Sequence, residues 1–385
     1  MKTLDTESLL QRLIAYPTVS QNSNLELIDF CANYLEDCGA TTQLVHDAER
    51  RKANLHARFG PEDIAGVALS GHSDVVPVTG QNWSVDPFNA RIDDDRIYGR
   101  GSADMKGFLA AVMAAVATIP DRQLQQPLHV MFSYDEEIGC IGVRRLIDEM
   151  KTWPVLPSRC VIGEPTSMQT AIAHKGKTVA RCECHGVAAH SALPHLGVNA
   201  IYLALDLIDE IRALQGKLIH STPANPYSVP YTTLQVGTIE GGLSVNIVPQ
   251  HCRFDLEIRN LPEDDPGALL EHLNAASAEL TEHHQQHFAE VGIDITVINQ
   301  YPALDTAADH GLVNWIKSLC DNDQHTHLAF GTEGGLFQRD LGIATVVCGP
   351  GSMDQGHKPD EFIDRRQLAD CKHFLGRLID DISVN

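Results

Sequence analysis

Apolar positions along this chain change their period repeatedly, and each change marks an element. Leu9, Leu10, Leu13 and Ile14 recur at helical spacing within residues 5–16, and a second helix is expected from Leu25 to Cys38, stopped by Gly39. Strand-like runs follow at Asn54–Phe59 and Val67–Ser70, the second leading into Gly71-His72-Ser73-Asp74. Arg91–Tyr98 reads as a hairpin with an acidic turn, and the Gly-rich stretch up to Asp104 opens an alanine-rich helix, Met105–Thr118. A strand over Pro127–Phe132 ends at Ser133-Tyr134-Asp135-Glu136-Glu137. A helix over Ile141–Met150 and a strand over Arg159–Ile162 come next, the strand running into Gly163-Glu164-Pro165-Thr166. Strands alternating with helices indicate a mostly parallel sheet with helices on both faces.

The pattern changes after Lys177. Val179–His185 alternates like a strand with one exposed face, and the order that follows is a helix near 198–214, strands near 232–239 and 252–258, a helix near 266–287 and a strand at 294–298. That is the β-α-β-β-α-β order of a ferredoxin-like α+β domain. From Tyr301 the α/β pattern resumes, with a helix at Leu312–Leu319, a strand at Ala344–Cys348, a glycine-rich loop from Gly349 to His357 and a helix at Arg366–Ile379. The fold class expected is therefore α/β, residues 1–177 and 300–385, interrupted by an inserted domain, residues 178–299.

Composition narrows the function classes. At 385 residues the chain exceeds one ordinary core, and 43% hydrophobic with 21% charged residues describes a globular protein. A formal net charge of −22 argues against nucleic acid and anionic membranes as partners. No apolar run able to cross a bilayer and no secretion signal at the N-terminus are expected. Ten cysteines are scattered singly except Cys182-Glu183-Cys184, which suits buried, reduced thiols in a cytoplasmic protein better than a disulfide framework.

Candidate chemistry gathers where ligands collect in such sheets, at the carboxyl ends of strands. Adjacent side chains point apart, so Glu136 and Glu137 divide two tasks: one binds a cation and the other stays free to take a proton. His72, Asp104, Glu137, Glu164 and His357 form an imidazole–carboxylate set suited to zinc or another borderline divalent ion, and the lack of thiolates disfavours a purely structural site. Five ligands serve two metals if one carboxylate bridges. Asp74, two residues from His72, is expected to accept the ring N–H of His72 and fix its tautomer.

Four motifs carry a family resemblance: Gly71-His72-Ser73-Asp74-Val75-Val76-Pro77, Gly99 to Gly107, Asp135-Glu136-Glu137 and Gly163-Glu164-Pro165-Thr166. They resemble the co-catalytic metallopeptidase family that includes acetylornithine deacetylase, succinyl-diaminopimelate desuccinylase and carboxypeptidase G, over nearly the whole chain. The resemblance implies a catalytic domain interrupted by a lid domain through which the protein forms a homodimer. It implies two divalent metals, zinc foremost and cobalt as an alternative. His72 and Glu164 would hold one, Glu137 and His357 the other, and Asp104 would bridge them. Glu136 would be the general base, and His190 a lid histidine reaching the substrate carbonyl across the dimer, with His195 close by in sequence. Asn246 and Arg259 fall at lid positions that contact substrate in relatives, and Arg259 would either clamp an α-carboxylate or pair with Glu257 or Asp255. The stretches Gly163–Ser167, Ala173–Gly176, Val229–Gly237 and Phe330–Gly335 favour the acetylornithine branch. The substrate expected is thus a small N-acyl amino acid, N2-acetyl-L-ornithine, hydrolysed to ornithine and acetate, with Glu333 holding its cationic amine by charge complementarity. A desuccinylase, a broader aminoacylase or dipeptidase, and an inactive binding protein on the same fold remain the alternatives.

Overall fold

Asp5 opens the first helix. Its carboxylate accepts the Ser8 amide at 2.8 Å, and the helix Thr6–Ile14 turns Leu9, Leu10, Leu13 and Ile14 into the core. This helix belongs to the larger of two units in the computed structural model, which describes residues 4–384. That unit holds the chain up to Ala173, Leu304–His327 and the chain from Thr332 onward; the other holds His174–Ala303 and Leu328–Gly331.

The larger unit is built on a nine-stranded sheet. At its centre the strands Leu128–Ser133, Val67–His72, Arg159–Ile162 and Ala344–Val347 run parallel to one another. Both sides of the sheet are antiparallel flanks: Ala53–Phe59 and Thr41–His46 beyond Leu128–Ser133, and Thr170–His174 beyond Ala344–Val347. Val67–His72 and Leu128–Ser133 are buried along their whole length, which is why they read as near-continuous apolar runs. Thr41–His46 carries no such signal, because as an outer strand it is half exposed and needs no apolar run. Thr170–His174 and the helix Gly334–Leu341 also went unread in the sequence. A separate three-stranded sheet joins Phe362–Asp364 to the hairpin Arg91–Ile92 and Arg96–Tyr98.

One expectation is corrected here. The segment Ser102–Asp121 is by length and composition apolar enough to cross a membrane. It is nevertheless the central helix of this unit: every residue of Gly107–Val116 is buried, against the helices Thr6–Ile14 and Arg365–Asp381. A helix walled in on all sides has no polar face to keep.

The second unit is a four-stranded antiparallel sheet in the order Thr233–Gly241, His251–Arg259, Lys177–His185, Gly292–Tyr301. With the helices Ala200–Ser221 and Pro266–Gln285 this is the ferredoxin-like arrangement. Strict alternation in Lys177–His185 and His251–Arg259 sends Cys182, Cys184, Cys252, Phe254 and Leu256 into one core with Leu203, Leu207 and Ile211. The last strand runs past residue 299, because a register shift between Val297 and Asn299 breaks the alternation but not the pairing. All ten cysteines are free.

Candidate metal centre

The central parallel strands end side by side, and their carboxyl ends supply the site. His72 is the last residue of its strand, and the Glu136–Glu137 turn and Glu164 follow two others directly. Local chemistry makes those turns. Asp135 adopts a left-handed φ of 53°, which aspartate tolerates better than most residues, and Lys52 pairs with its carboxylate at 2.5 Å. Gly163 lets the chain before Glu164 pass against the ring of Phe108, which a Cβ there would meet at 2.1 Å.

Asp104 is the pivot. Its Oδ1 stands 3.0 Å from Nε2 of His72, and its Oδ2 stands 3.2 Å from Nε2 of His357. Around the first oxygen, Glu164 Oε1 lies 3.6 Å from the same His72 nitrogen; around the second, Glu137 Oε2 lies 3.0 Å from the same His357 nitrogen. Two half-sites therefore share one carboxylate. His72, Asp104 and Glu137 offer ligand atoms within 4.8 Å of one another, and so do His72, Glu136 and Glu164. Asp104 does not cap the helix that follows. Its backbone is non-helical, at φ −123° and ψ 93°, within an irregular turn, Ser102–Lys106, and the Asp104–Met105 peptide is cis.

The charges explain the donor set. Burial raises the Glu136 carboxyl to about 8 and that of Glu137 to about 7, and burial also raises Glu164. Burial works against charge on Asp104 as well, but hydrogen bonds from His357 and His72 outweigh it and hold Asp104 below the usual range. His357 is raised to about 10 by its bonds to Asp104 and Glu137. Burial opposes the charged form of His72, yet Glu164 and Asp104 lift it well above an ordinary histidine. Four carboxyl groups thus crowd two imidazoles, and the protons these groups tend to hold stand where bound cations would supply positive charge. Glu137 Oε1 adds an independent sign, being buried with no hydrogen-bond partner among the described residues. Oxygen and imidazole donors in this arrangement fit a divalent pair.

Three expected roles change. Asp74 was expected to orient His72 through its carboxylate, but the backbone carbonyl of Asp74 accepts from His72 Nδ1 at 2.9 Å, and the carboxylate lies 3.6 Å away. That carboxylate instead accepts the amides of Glu136 at 3.1 Å and Glu137 at 3.4 Å, and the Ser20 hydroxyl at 2.7 Å. It holds the turn that carries both glutamates. Glu333 was expected to receive a substrate amine, but it is 1% exposed and its two oxygens accept from the hydroxyls of Ser70 and Ser133. A carboxylate enclosed under the sheet is closed to an amine. For Arg259 the carboxylate clamp gives way to the ion pair: its fork is taken by Glu257 two residues earlier on the same strand face, at 2.9 and 3.2 Å, with Tyr301 on the remaining nitrogen.

The other lid residues lie on exposed loop backbone. His190 forms an isolated bridge with Ile247, and its Nδ1 accepts the Ala192 amide at 3.1 Å, which leaves the proton on Nε2. Asn246 accepts from the Ser244 hydroxyl at 2.7 Å. Motif reading missed several contributors. Ser20 steadies Asp74, the Cys140 thiol donates to Glu136 Oε1 at 3.2 Å, and Glu361 binds the backbone around Asp104. Only Glu361 left a trace, as an acidic residue four positions after His357.

A parallel-centred sheet with clustered imidazole and carboxylate groups at its strand ends, carrying an inserted ferredoxin-like unit, is an arrangement suited to a metal-dependent hydrolase. Comparison with known proteins agrees: a model of Peptidase family M20/M25/M40 matches residues 68–381, and the chain belongs to that family. It is 34% identical to the acetylornithine deacetylase of Yersinia pseudotuberculosis, over 97% of this chain and 96% of that protein. It is 33% identical to the acetylornithine deacetylase of Photorhabdus laumondii, over 98% and 97%. Among solved structures it resembles the aminopeptidase PepT of Bacillus cereus, with a TM-score of 0.75 and 19% identity over 99% of both chains.

Proposed function

We propose that this chain hydrolyses N2-acetyl-L-ornithine to L-ornithine and acetate, a step of arginine biosynthesis in the cytoplasm, with two divalent cations, zinc first and cobalt as a substitute. The observation that carries the reading is Asp104, whose two oxygens each face one imidazole. His72 and Glu164 would hold one cation and Glu137 and His357 the other. Relatives bearing the deacetylase name match at about one-third identity across nearly all of the chain, which favours acetylornithine among N-acyl amino acids.

Two divalent cations held by these residues would supply an acidified water and polarisation of the amide carbonyl. Proton movement falls to Glu136. It takes the proton of the attacking water and hands it to the nitrogen of the leaving amine. Burial raises its carboxyl above the ordinary glutamate range, which favours taking up a proton. Asp74 keeps Glu136 aimed by fixing the turn. By the family resemblance, His190 of the partner subunit would donate to the carbonyl oxygen as charge develops on it, a contact that counts only in the transition state. Asn246 is a further substrate contact in the same exposed region. A homodimer through the second unit fits the outer strand Thr233–Gly241, which ends the sheet there, with Ile239 exposed on it and Leu243, 89% exposed, just after it.

The test is a steady-state assay of zinc-loaded and chelated protein on N-acetylornithine and N-succinyl-diaminopimelate. The expected result is about two zinc equivalents, chelator-sensitive turnover restored by zinc, and faster cleavage of the acetylated substrate. Faster cleavage of the succinylated one overturns the substrate, and full activity after complete metal removal overturns the mechanism.

A further inference from the structure

The loops that carry Asp104 and His357 are tied together beneath the site by a buried ion pair outside the ligand set. Arg100 and Glu361 are each 1% exposed at the side chain, with Nη1 of Arg100 donating to Oε2 of Glu361 at 2.6 Å. Glu361 does more than neutralise that arginine. Its Oε1 accepts the amides of Ala103 at 2.9 Å and of Asp104 itself at 3.1 Å, while its Oε2 also accepts the Gly101 amide at 3.0 Å. Three N–H groups in four residues converge on one carboxylate. Gly101, at φ 81°, gives the backbone the left-handed turn this wrapping requires.

From Arg100 the network goes on to the other loop. Its Nη2 donates to Gln81 Oε1 at 2.5 Å, and Gln81 Nε2 donates to the backbone carbonyl of His357 at 2.9 Å. Nη1 reaches the Lys358 carbonyl at 3.4 Å, and the Trp83 ring lies 5.1 Å from the guanidinium carbon. His72 and Glu164 are placed differently. They hang from the ends of parallel strands, and among the described residues neither Arg100 nor Glu361 bonds to them.

We propose that the Arg100–Glu361 pair, acting through Gln81, is a positioning device for the centre: Glu361 sets the backbone of Asp104, which both cations would share, and Gln81 sets that of His357, so the cation held by Glu137 and His357 depends on both links. The inference rests on the two-cation reading above. A buried ion pair of this kind adds little net stability compared with a well-packed apolar pair, so its distinctive contribution is geometric. Partners of metal ligands typically govern affinity by about 10- to 100-fold.

The experiment is titration of metal-free protein with Co²⁺, followed by its visible absorption, for the wild type, Glu361→Gln and Gln81→Ala, with folding checked by thermal melting. The wild type takes up two equivalents. Glu361→Gln, which loosens the shared Asp104, weakens both steps, the second by about 10- to 100-fold, and excess metal restores kcat with KM unchanged. Gln81→Ala, a change at the periphery of the network, weakens the second step by severalfold. Second steps at wild-type affinity in both variants overturn the proposal. If Glu361→Gln does not fold, Gln81→Ala alone decides it by the same criterion, because it cuts the link from Arg100 to His357 and leaves the Arg100–Glu361 pair and its bonds to Asp104 in place. A wild type that binds fewer than two Co²⁺ overturns the two-cation reading itself, whatever the variants do.

Discussion

Replacing Asp74 with asparagine separates two jobs that the sequence had merged. The backbone carbonyl that accepts from His72 is untouched, so the imidazole keeps its orientation. What changes is the side chain that receives two consecutive amides, those of Glu136 and Glu137, and the Ser20 hydroxyl. A carboxylate accepts from all three. A carboxamide offers one oxygen, and its NH₂ group must face one of the amides or the hydroxyl. Hydrogen bonds to charged acceptors contribute about 1.5–3 kcal/mol each. One amide contact is long, at 3.4 Å, and asparagine preserves one neutral bond, so the hold on the turn weakens by about 2–4 kcal/mol. If that hold serves to aim Glu136 in the transition state, kcat/KM falls by about 30- to 1000-fold, at about 1.4 kcal/mol per factor of ten. The assay is steady-state hydrolysis of N-acetylornithine at saturating zinc, with a metal titration beside it. The expected pattern is a lower kcat, a nearly unchanged KM and retention of the cation on the His72 side. Loss of that cation first would show that the carboxylate, not the carbonyl, orients His72. A kcat/KM within about threefold of wild type would show that the turn needs no such support.

Glu136→Gln keeps the shape of the base and removes its proton acceptor; kcat should drop by about 10²- to 10⁴-fold while both cations stay, measured by turnover and metal content together. Loss of a cation with the activity would make Glu136 a ligand, a role its closeness to His72 and Glu164 would allow. Away from the centre, His56 Nε2 and His129 Nδ1 share a 3.0 Å hydrogen bond and both rings pack on Trp153. Burial lowers His56 to about 3 and His129 to about 4 from 6.5. Folded-state values lowered in this way mean that the unfolded chain binds protons first as pH falls. Stability is therefore full above about pH 6.5 and is lost progressively toward pH 4, by about 2 kcal/mol per imidazole at pH 5. Denaturant melts between pH 4 and 7 should show this slope, and a His56→Gln, His129→Gln double variant should flatten it; an unchanged slope would refute the assignment.

Much of the architecture was written in local pattern. Buried parallel strands announce themselves as apolar runs, and strict alternation marked the inserted domain, because periods of two and 3.6 follow directly from backbone geometry. Strands at the sheet's margins escaped notice for the same reason: Thr41–His46 is half exposed and buries too little to leave a signal. The five candidate ligands and Glu136 were legible because each stands at a strand end or in a short motif.

What the sequence could not supply was direction. It placed Asp74 beside His72, but only the fold shows that the carbonyl faces the imidazole while the carboxylate faces the Glu136–Glu137 turn. It left Arg259 between a carboxylate clamp and a partner of Glu257, which the fold decides for Glu257, and it offered Glu333 as an open charge, which the fold closes with Ser70 and Ser133. Glu361 reaches Asp104 across more than two hundred and fifty positions. A side chain's type and its place along a strand are local properties, whereas its partner is settled by which distant segment the packing brings within 3 Å, and a linear pattern does not encode that choice.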